Sequence, residues 1–249
     1  IDDSPYVSDE AADTSTIEEV KKSKSGQFLQ LITMQNHMPY KNWYKNNEFK
    51  AESTTGTPLG EGETESIETY AKGVELTDTA TKDFLEQLEI DKPITVVFYG
   101  DHLPGIYSSA SEDEDNSLDL HLTDYFIWSN KASSSANTKI SDDNYSSPNF
   151  FVAEAAEHMD AKVSPYLAFL TQMHSKIAAM EPPVVNNIQG WDRIPEGQNI
   201  YLDQDGKPMA EKDLDAETKQ LLADYRLIQY DITAGKNYLK STGFMNLPK

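Results

Sequence analysis

The sequence contains no cysteine. That absence excludes disulfides, thiolate zinc sites and cysteine nucleophiles together, and it leaves the compartment open. Positive charge is scarce as well, with 21 Lys and Arg against 42 Asp and Glu and a formal net charge of −21. Such a chain is repelled by phosphate backbones and lacks a basic patch for anionic lipid, which argues against nucleic acid as a partner. No run of about 18 apolar residues occurs, so no segment has the make-up of a membrane-crossing helix. The chain opens on Ile1 with no charged-then-apolar leader and no initiator Met, as expected of a processed piece of a longer protein. Local nucleophile signatures are also missing: there is no Gly-x-Ser-x-Gly and no glycine-rich phosphate loop.

What is present is enough apolar and aromatic residue, 38% and 10%, for one large domain or two small ones. The most informative stretch is Ile94-Thr-Val-Val-Phe-Tyr-Gly-Asp-His-Leu-Pro104. Its β-branched and aromatic run predicts a strand covered on both faces, and Gly100 lets the backbone turn as it leaves the sheet. A second apolar run, Gln27 to Gln35, predicts another strand, ending at Asn36-His37-Met38-Pro39-Tyr40. Thr16 to Lys24 reads as a short helix, Tyr70 to Leu88 has helical spacing, and Asp124 to Ser129 reads as a third strand. Ser147-Pro148 and Ser164-Pro165 each announce a helix, a capping hydroxyl before a proline at the first helical position, the second helix ending at Pro182-Pro183. This alternation predicts an α/β fold, a mainly parallel sheet with helices on both faces, over 1–183. Residues 184–249 are expected to pack on it as a hairpin around Asp205-Gly206 and a final helix marked by Leu221, Tyr225, Ile228 and Ile232.

Open α/β sheets bind ligands beyond their strand ends, where Asp101 and His102 lie. They read either as a loop pair with the imidazole satisfied by a carbonyl, or as one oxygen and one nitrogen ligand of a divalent metal. Both face one ion only if the chain bends at Gly100, because neighbours in a strand point to opposite sides. His37 reads either as a turn histidine held locally or, if the two strands are parallel neighbours, as converging on Asp101 and His102. His158 lies near the C-terminal end of an expected helix, where a cation is electrostatically welcome, and His174 on a helix beside core positions, and structural roles are expected for both. His121, between an acidic loop and a strand, has no assigned role. The run Glu112-Asp-Glu-Asp-Asn116 places Asp113, Asp115 and Ser117 at alternate positions, but without the glycine and closing Glu of a calcium hand it reads as a solvated loop. Asp203 and Asp205 read as turn residues.

Several segments together resemble the extracellular sulfatase-like domain of the lipoteichoic acid synthase and phosphoglycerol transferase family, within the alkaline phosphatase superfamily. They are Tyr6-Val-Ser-Asp-Glu-Ala11, Leu31-Ile-Thr-Met-Gln-Asn-His-Met-Pro-Tyr40, the Tyr70 to Leu88 helix, Val97-Phe-Tyr-Gly-Asp-His-Leu103 and Tyr230-Asp-Ile-Thr-Ala-Gly-Lys-Asn-Tyr238. The resemblance implies that Asp101 and His102 are ligands of a catalytic divalent ion, Mn2+ or Mg2+, and that His37 contacts a phosphoglycerol headgroup. It implies transfer of glycerol phosphate from a phosphatidylglycerol-like phospholipid, through a covalent threonine intermediate, to a polymer or glycan acceptor. The setting it implies is the extracellular face of the bacterial cell membrane, with anchoring helices upstream. In the family the nucleophile and a glutamate ligand precede the segment resembling Tyr6 to Ala11. The expectation is therefore that this chain is the C-terminal part of a catalytic domain, inactive alone, with the N-terminal half of the same protein as its partner. Two other readings remain: a sulfate- or phosphate-ester hydrolase of the same superfamily, and a non-catalytic extracellular cell-wall-binding domain.

Overall fold

The computed structural model describes residues 3–54, 56–111, 116, 118–141, 144–181 and 200–249. The chain divides into two compact units, one of Ile1–Ile94, Phe98–Phe126 and Asn130–Ala132, the other of Thr95–Val97, Ile127–Ser129 and Ser133–Lys249. The boundary expected after residue 183 and the acidic positions 112–115 and 117 lie outside the described residues.

In the first unit, helix α1 (Asp9–Lys22) starts where the Ser8 hydroxyl accepts the Ala11 N–H at 3.2 Å. Asp9 and Glu10 at its start and Lys21 and Lys22 at its end complement the helix dipole. Helix α2 (Glu63–Gln87) begins about two turns before the expected Tyr70, after Gly62 in a left-handed conformation with φ 74°. Glu63 fixes that start, accepting the Gly60 N–H at 2.6 Å and the Ser109 N–H at 3.1 Å. The two helices pack together, and Gly73 admits the 35–36 turn, since a Cβ there would collide with Asn36 Oδ1. After α2, buried Asn130 donates to the Leu88 carbonyl at 2.9 Å and the Lys92 carbonyl at 2.8 Å.

Strands β1 (Thr95–Tyr99) and β2 (Tyr125–Ser129) form a two-stranded sheet. The Gly100 N–H donates to the Asp124 carbonyl at 3.1 Å and the Asn130 N–H to the Ile94 carbonyl at 3.0 Å, so the pair runs antiparallel. Among the described residues the connection between them holds the single turn α3 (Ser108–Ser111) and a 3-10 turn at Asp119–His121. The Phe98 and Phe126 rings stack across the pair at 4.9 Å. Coverage is thinner than the apolar run predicts: Thr95 to Phe98 are half-buried and Tyr99 is exposed. The strand expected over Gln27 to Gln35 is not formed among the described residues, where nothing lies alongside to take its backbone hydrogen bonds.

The second unit has its core at Phe150, Leu170, Met173, Ile177, Tyr201 and Leu222. Helix α4 (Phe151–His158) starts later than Ser147-Pro148 predicts, because Ser147 Oγ is engaged with Asn149 Oδ1 and the Met180 N–H. Helix α5 (Pro165–His174) starts as expected, with Ser164 accepting the Leu167 N–H at 3.3 Å. It ends at His174, not at Pro182-Pro183, because the next residues turn into strand β3 (Ala179–Met180). That strand pairs with β4 (Tyr201–Leu202), and β4 with β5 (Pro208–Met209), adding a third strand to the expected hairpin. Asp203 shapes its turn, accepting the N–H groups of Asp205 at 3.0 Å and Lys207 at 2.9 Å. Helix α6 (Ala216–Thr233) is capped by Asp215 and tied to the hairpin by Arg226, which donates to Glu211 at 2.7 Å and the Tyr201 hydroxyl at 2.9 Å.

Burial and the Asp9 carboxylate one helical turn away push the Asp13 carboxyl from 3.8 up to about 6. The folded chain then binds a proton that the unfolded chain has already released, so this site favours folding below pH 3.8 and loses that contribution as pH rises through about 6. Asp13→Asn should stabilise the chain at pH 7 by about 1 kcal/mol, allowing for solvent screening of a half-exposed group, and leave it nearly unchanged at pH 3.5. Urea unfolding at the two pH values checks this, and an equal gain at both would contradict it.

Candidate active site

The site is built on two chain segments of the first unit, the turn 35–40 and the β1 exit 100–104. At the exit, the Asp101 carboxylate accepts the His102 backbone N–H at 2.9 Å, which folds the side chain back over its own turn. The His102 ring is fixed from the other side, with Nδ1 2.9 Å from the Leu103 carbonyl. A carbonyl only accepts, so Nδ1 carries the proton and Nε2 is left with its lone pair. Nε2 lies 3.7 Å from Asp101 Oδ2, and both side chains are largely exposed. Two donors each about 2.1 Å from one cation sit about 3 to 3.5 Å apart, so a small inward movement suits the pair to a divalent ion. Among the described residues no third His, Asp or Glu completes a ligand group. In His102, Nδ1 is thus satisfied by a carbonyl, as one sequence reading expects, while Nε2 keeps its lone pair.

The turn is anchored by a buried polar network. Thr77 Oγ1 donates to Asp9 Oδ2 and accepts from Gln35 Nε2 at 3.2 Å and Asn36 Nδ2 at 2.8 Å. Gln35 also accepts the Asp9 N–H at 3.0 Å and donates to the Gly73 carbonyl at 3.1 Å. From this base His37 projects into solvent, its Nδ1 2.8 Å from the Met38 carbonyl. As in His102, that contact places the proton on Nδ1 and frees Nε2. The Tyr6 hydroxyl donates to the same carbonyl and lies 3.2 Å from His37 Nδ1, with its ring edge-on to the imidazole at 5.8 Å.

Tyrosines link the two segments. The Tyr40 hydroxyl donates to the Asn36 carbonyl at 2.6 Å, and its ring meets Tyr70 edge-on at 5.7 Å. Burial, and then the negative charge of Asp101, push the Tyr70 phenol above its ordinary value, and burial does the same for Tyr107 beside it. Both phenols therefore stay protonated at neutral pH as hydrogen-bond donors. No hydrogen bond or ion pair joins His37 to Asp101 or His102 among the described residues. Tyr40 and Tyr70 stand at the ends of two segments quoted above, without a site role read from them, and Tyr107 lies in none. Tyr6 stands in one of the motifs quoted above, but its meeting with His37 across 31 residues is visible only in the fold.

The other three histidines have settings of their own. His121 closes an exposed 3-10 turn. His158 is buried, with Nε2 2.9 Å from Ser129 Oγ, and burial holds its imidazole below the ordinary value. His174 Nε2 lies 3.1 Å from the Tyr145 carbonyl and 3.6 Å from buried Glu154. Both have the structural settings expected of them.

The family model for Sulfatase matches residues 2–161. Among solved structures, the chain is similar to the Streptococcus pyogenes phosphoglycerol transferase GacH in complex with sn-glycerol-1-phosphate. That similarity has 35% identity and a TM-score of 0.72, over 97% of this chain and 53% of that one. It is also 26% identical, over 94% of its length and 35% of the relative's, to a Rhizobium meliloti (strain 1021) protein named for cyclic beta-1,2-glucan modification. The chain thus spans about half of one relative and about a third of the other. The α/β architecture and these similarities agree, and the chain belongs to the sulfatase family, with similarity to a phosphoglycerol transferase within it.

Proposed function

We propose that this chain supplies part of the active site of a metal-dependent phosphoglycerol transferase, which moves glycerol phosphate from a phospholipid headgroup to a polymer or glycan acceptor. The observation that carries the reading is the Asp101–His102 pair at the end of β1, with Nε2 free and 3.7 Å from Asp101 Oδ2. The similarity to a transferase solved with sn-glycerol-1-phosphate supports a phosphoglycerol-type substrate, and the glucan-modification relative favours a glycan acceptor. On this reading the site faces the outside of the bacterial membrane, beside its lipid donor. The N-terminal half of the same protein supplies the nucleophilic hydroxyl and the remaining ligands.

Asp101 and His102 would hold Mn2+ or Mg2+, the carboxylate as the charged ligand and the imidazole as the neutral one. Such a cation supplies neutralisation of phosphoryl oxygens and acidification of an attacking hydroxyl. His37 presents Nε2 to the phosphate or the leaving oxygen, as acceptor when neutral and as donor when protonated. Tyr6 and the Met38 carbonyl hold the ring so that this nitrogen, and not Nδ1, meets the ligand.

In the intact protein, His102→Ala should lose bound manganese on gel filtration and at least about 100-fold in transfer of labelled glycerol phosphate; undiminished turnover removes the pair from the site. His37→Ala should keep its metal while KM for the phospholipid rises by about tenfold or more, and loss of metal would instead make His37 a ligand. Tyr6→Phe removes one orienting hydrogen bond and should lower kcat/KM by about five- to tenfold with metal content unchanged. An unchanged kcat/KM would free His37 from that dependence.

A further inference from the structure

The Gln27 to Met34 segment has the composition of an inner strand and the exposure of a loop. Every residue from Lys24 to Met34 is exposed, with Phe28 at 87% and Ile32 at 71%. Leu29 and Leu31 border a shallow hollow with Ala12, Thr16 and Glu19 of α1, so one side of the segment leans on a helix while Phe28 and Ile32 stand open. Among the described residues no hydrogen bond engages the backbone of residues 26–33. Exposed apolar side chains of alternating direction and a free backbone edge are the features of a strand prepared for a neighbour. The Thr95–Tyr99 strand agrees: it is apolar enough for burial on both faces, yet half-buried and, among the described residues, paired with a single strand.

We propose that Gln27–Met34 is a sheet strand whose neighbour is a strand-forming segment of the same protein outside these 249 residues. That segment lies in the length of the solved relative which this chain leaves uncovered, since the match takes in 97% of this chain but 53% of that one. A second copy is the poorer occupant, because two chains of net charge −21 repel at close approach. The inference rests on family membership and the exposed backbone, not on the metal reading.

Hydrogen–deuterium exchange of the full gene product tests it. The amides of Leu29 to Thr33 should exchange at least about 100-fold more slowly than those of the exposed loop around Glu52–Thr54, and should keep that protection in His102→Ala. Ile32→Lys should lose the protection while α4 to α6 remain protected. Exchange at the loop's rate in the unsubstituted protein would overturn the proposal. So would protection that appears only with rising concentration alongside a dimer in light scattering, which would assign the edge to a second copy.

Discussion

The hydroxyl of Thr77 is the point on which the first unit depends. With one donor and two lone pairs it engages Asp9 of α1, Gln35 and Asn36, and so joins both long helices to the turn that carries His37. The hub serves one oxygen of Asp9, which is 3% exposed, while its buried Oδ1 has no hydrogen-bond partner among the described residues. Gly73 is part of the same constraint, because any side chain there would push the turn away from α2. The position of His37 follows from a buried network, although the imidazole itself is in solvent.

Electrostatics gives the site its logic. A chain with a charge of −21 repels a phosphodiester, and Asp101 adds to that repulsion where the ligand would arrive. On the proposed reading a cation held by Asp101 and His102 would reverse the local sign, and the available His102 nitrogen suits a metal in that role. The protonated phenols of Tyr70 and Tyr107 add donors without adding charge.

Local chemistry was legible in the sequence, whereas long-range pairing was not. The Thr95–Tyr99 and Tyr125–Ser129 strands, the Ser164-Pro165 helix start and the Asp205-Gly206 hairpin lie where composition and turn residues place them. Ser147 misled because its hydroxyl serves Asn149 and Met180 and not a helix cap. The run at Gln27 misled because β-propensity describes a surface that needs neighbours, and none lies beside it among the described residues. Strand direction was hidden too, since alternating strands and helices do not reveal that β1 and β2 run antiparallel. In the site, Asp101 and His102 stood out through their place after an apolar strand. The Thr77 hub and the Tyr6 support of His37 join residues 68 and 31 positions apart and leave no trace in any local pattern.

The central claim is that His102 Nε2 is a metal ligand. Pulsed electron–nuclear double resonance of Mn2+ bound to the intact protein reads it directly. The account predicts a nitrogen hyperfine coupling that is present in the unsubstituted protein and in His37→Ala and is lost when His102 is replaced by glutamine. A coupling that survives that replacement, or a bound manganese with no nitrogen coupling at all, would contradict it.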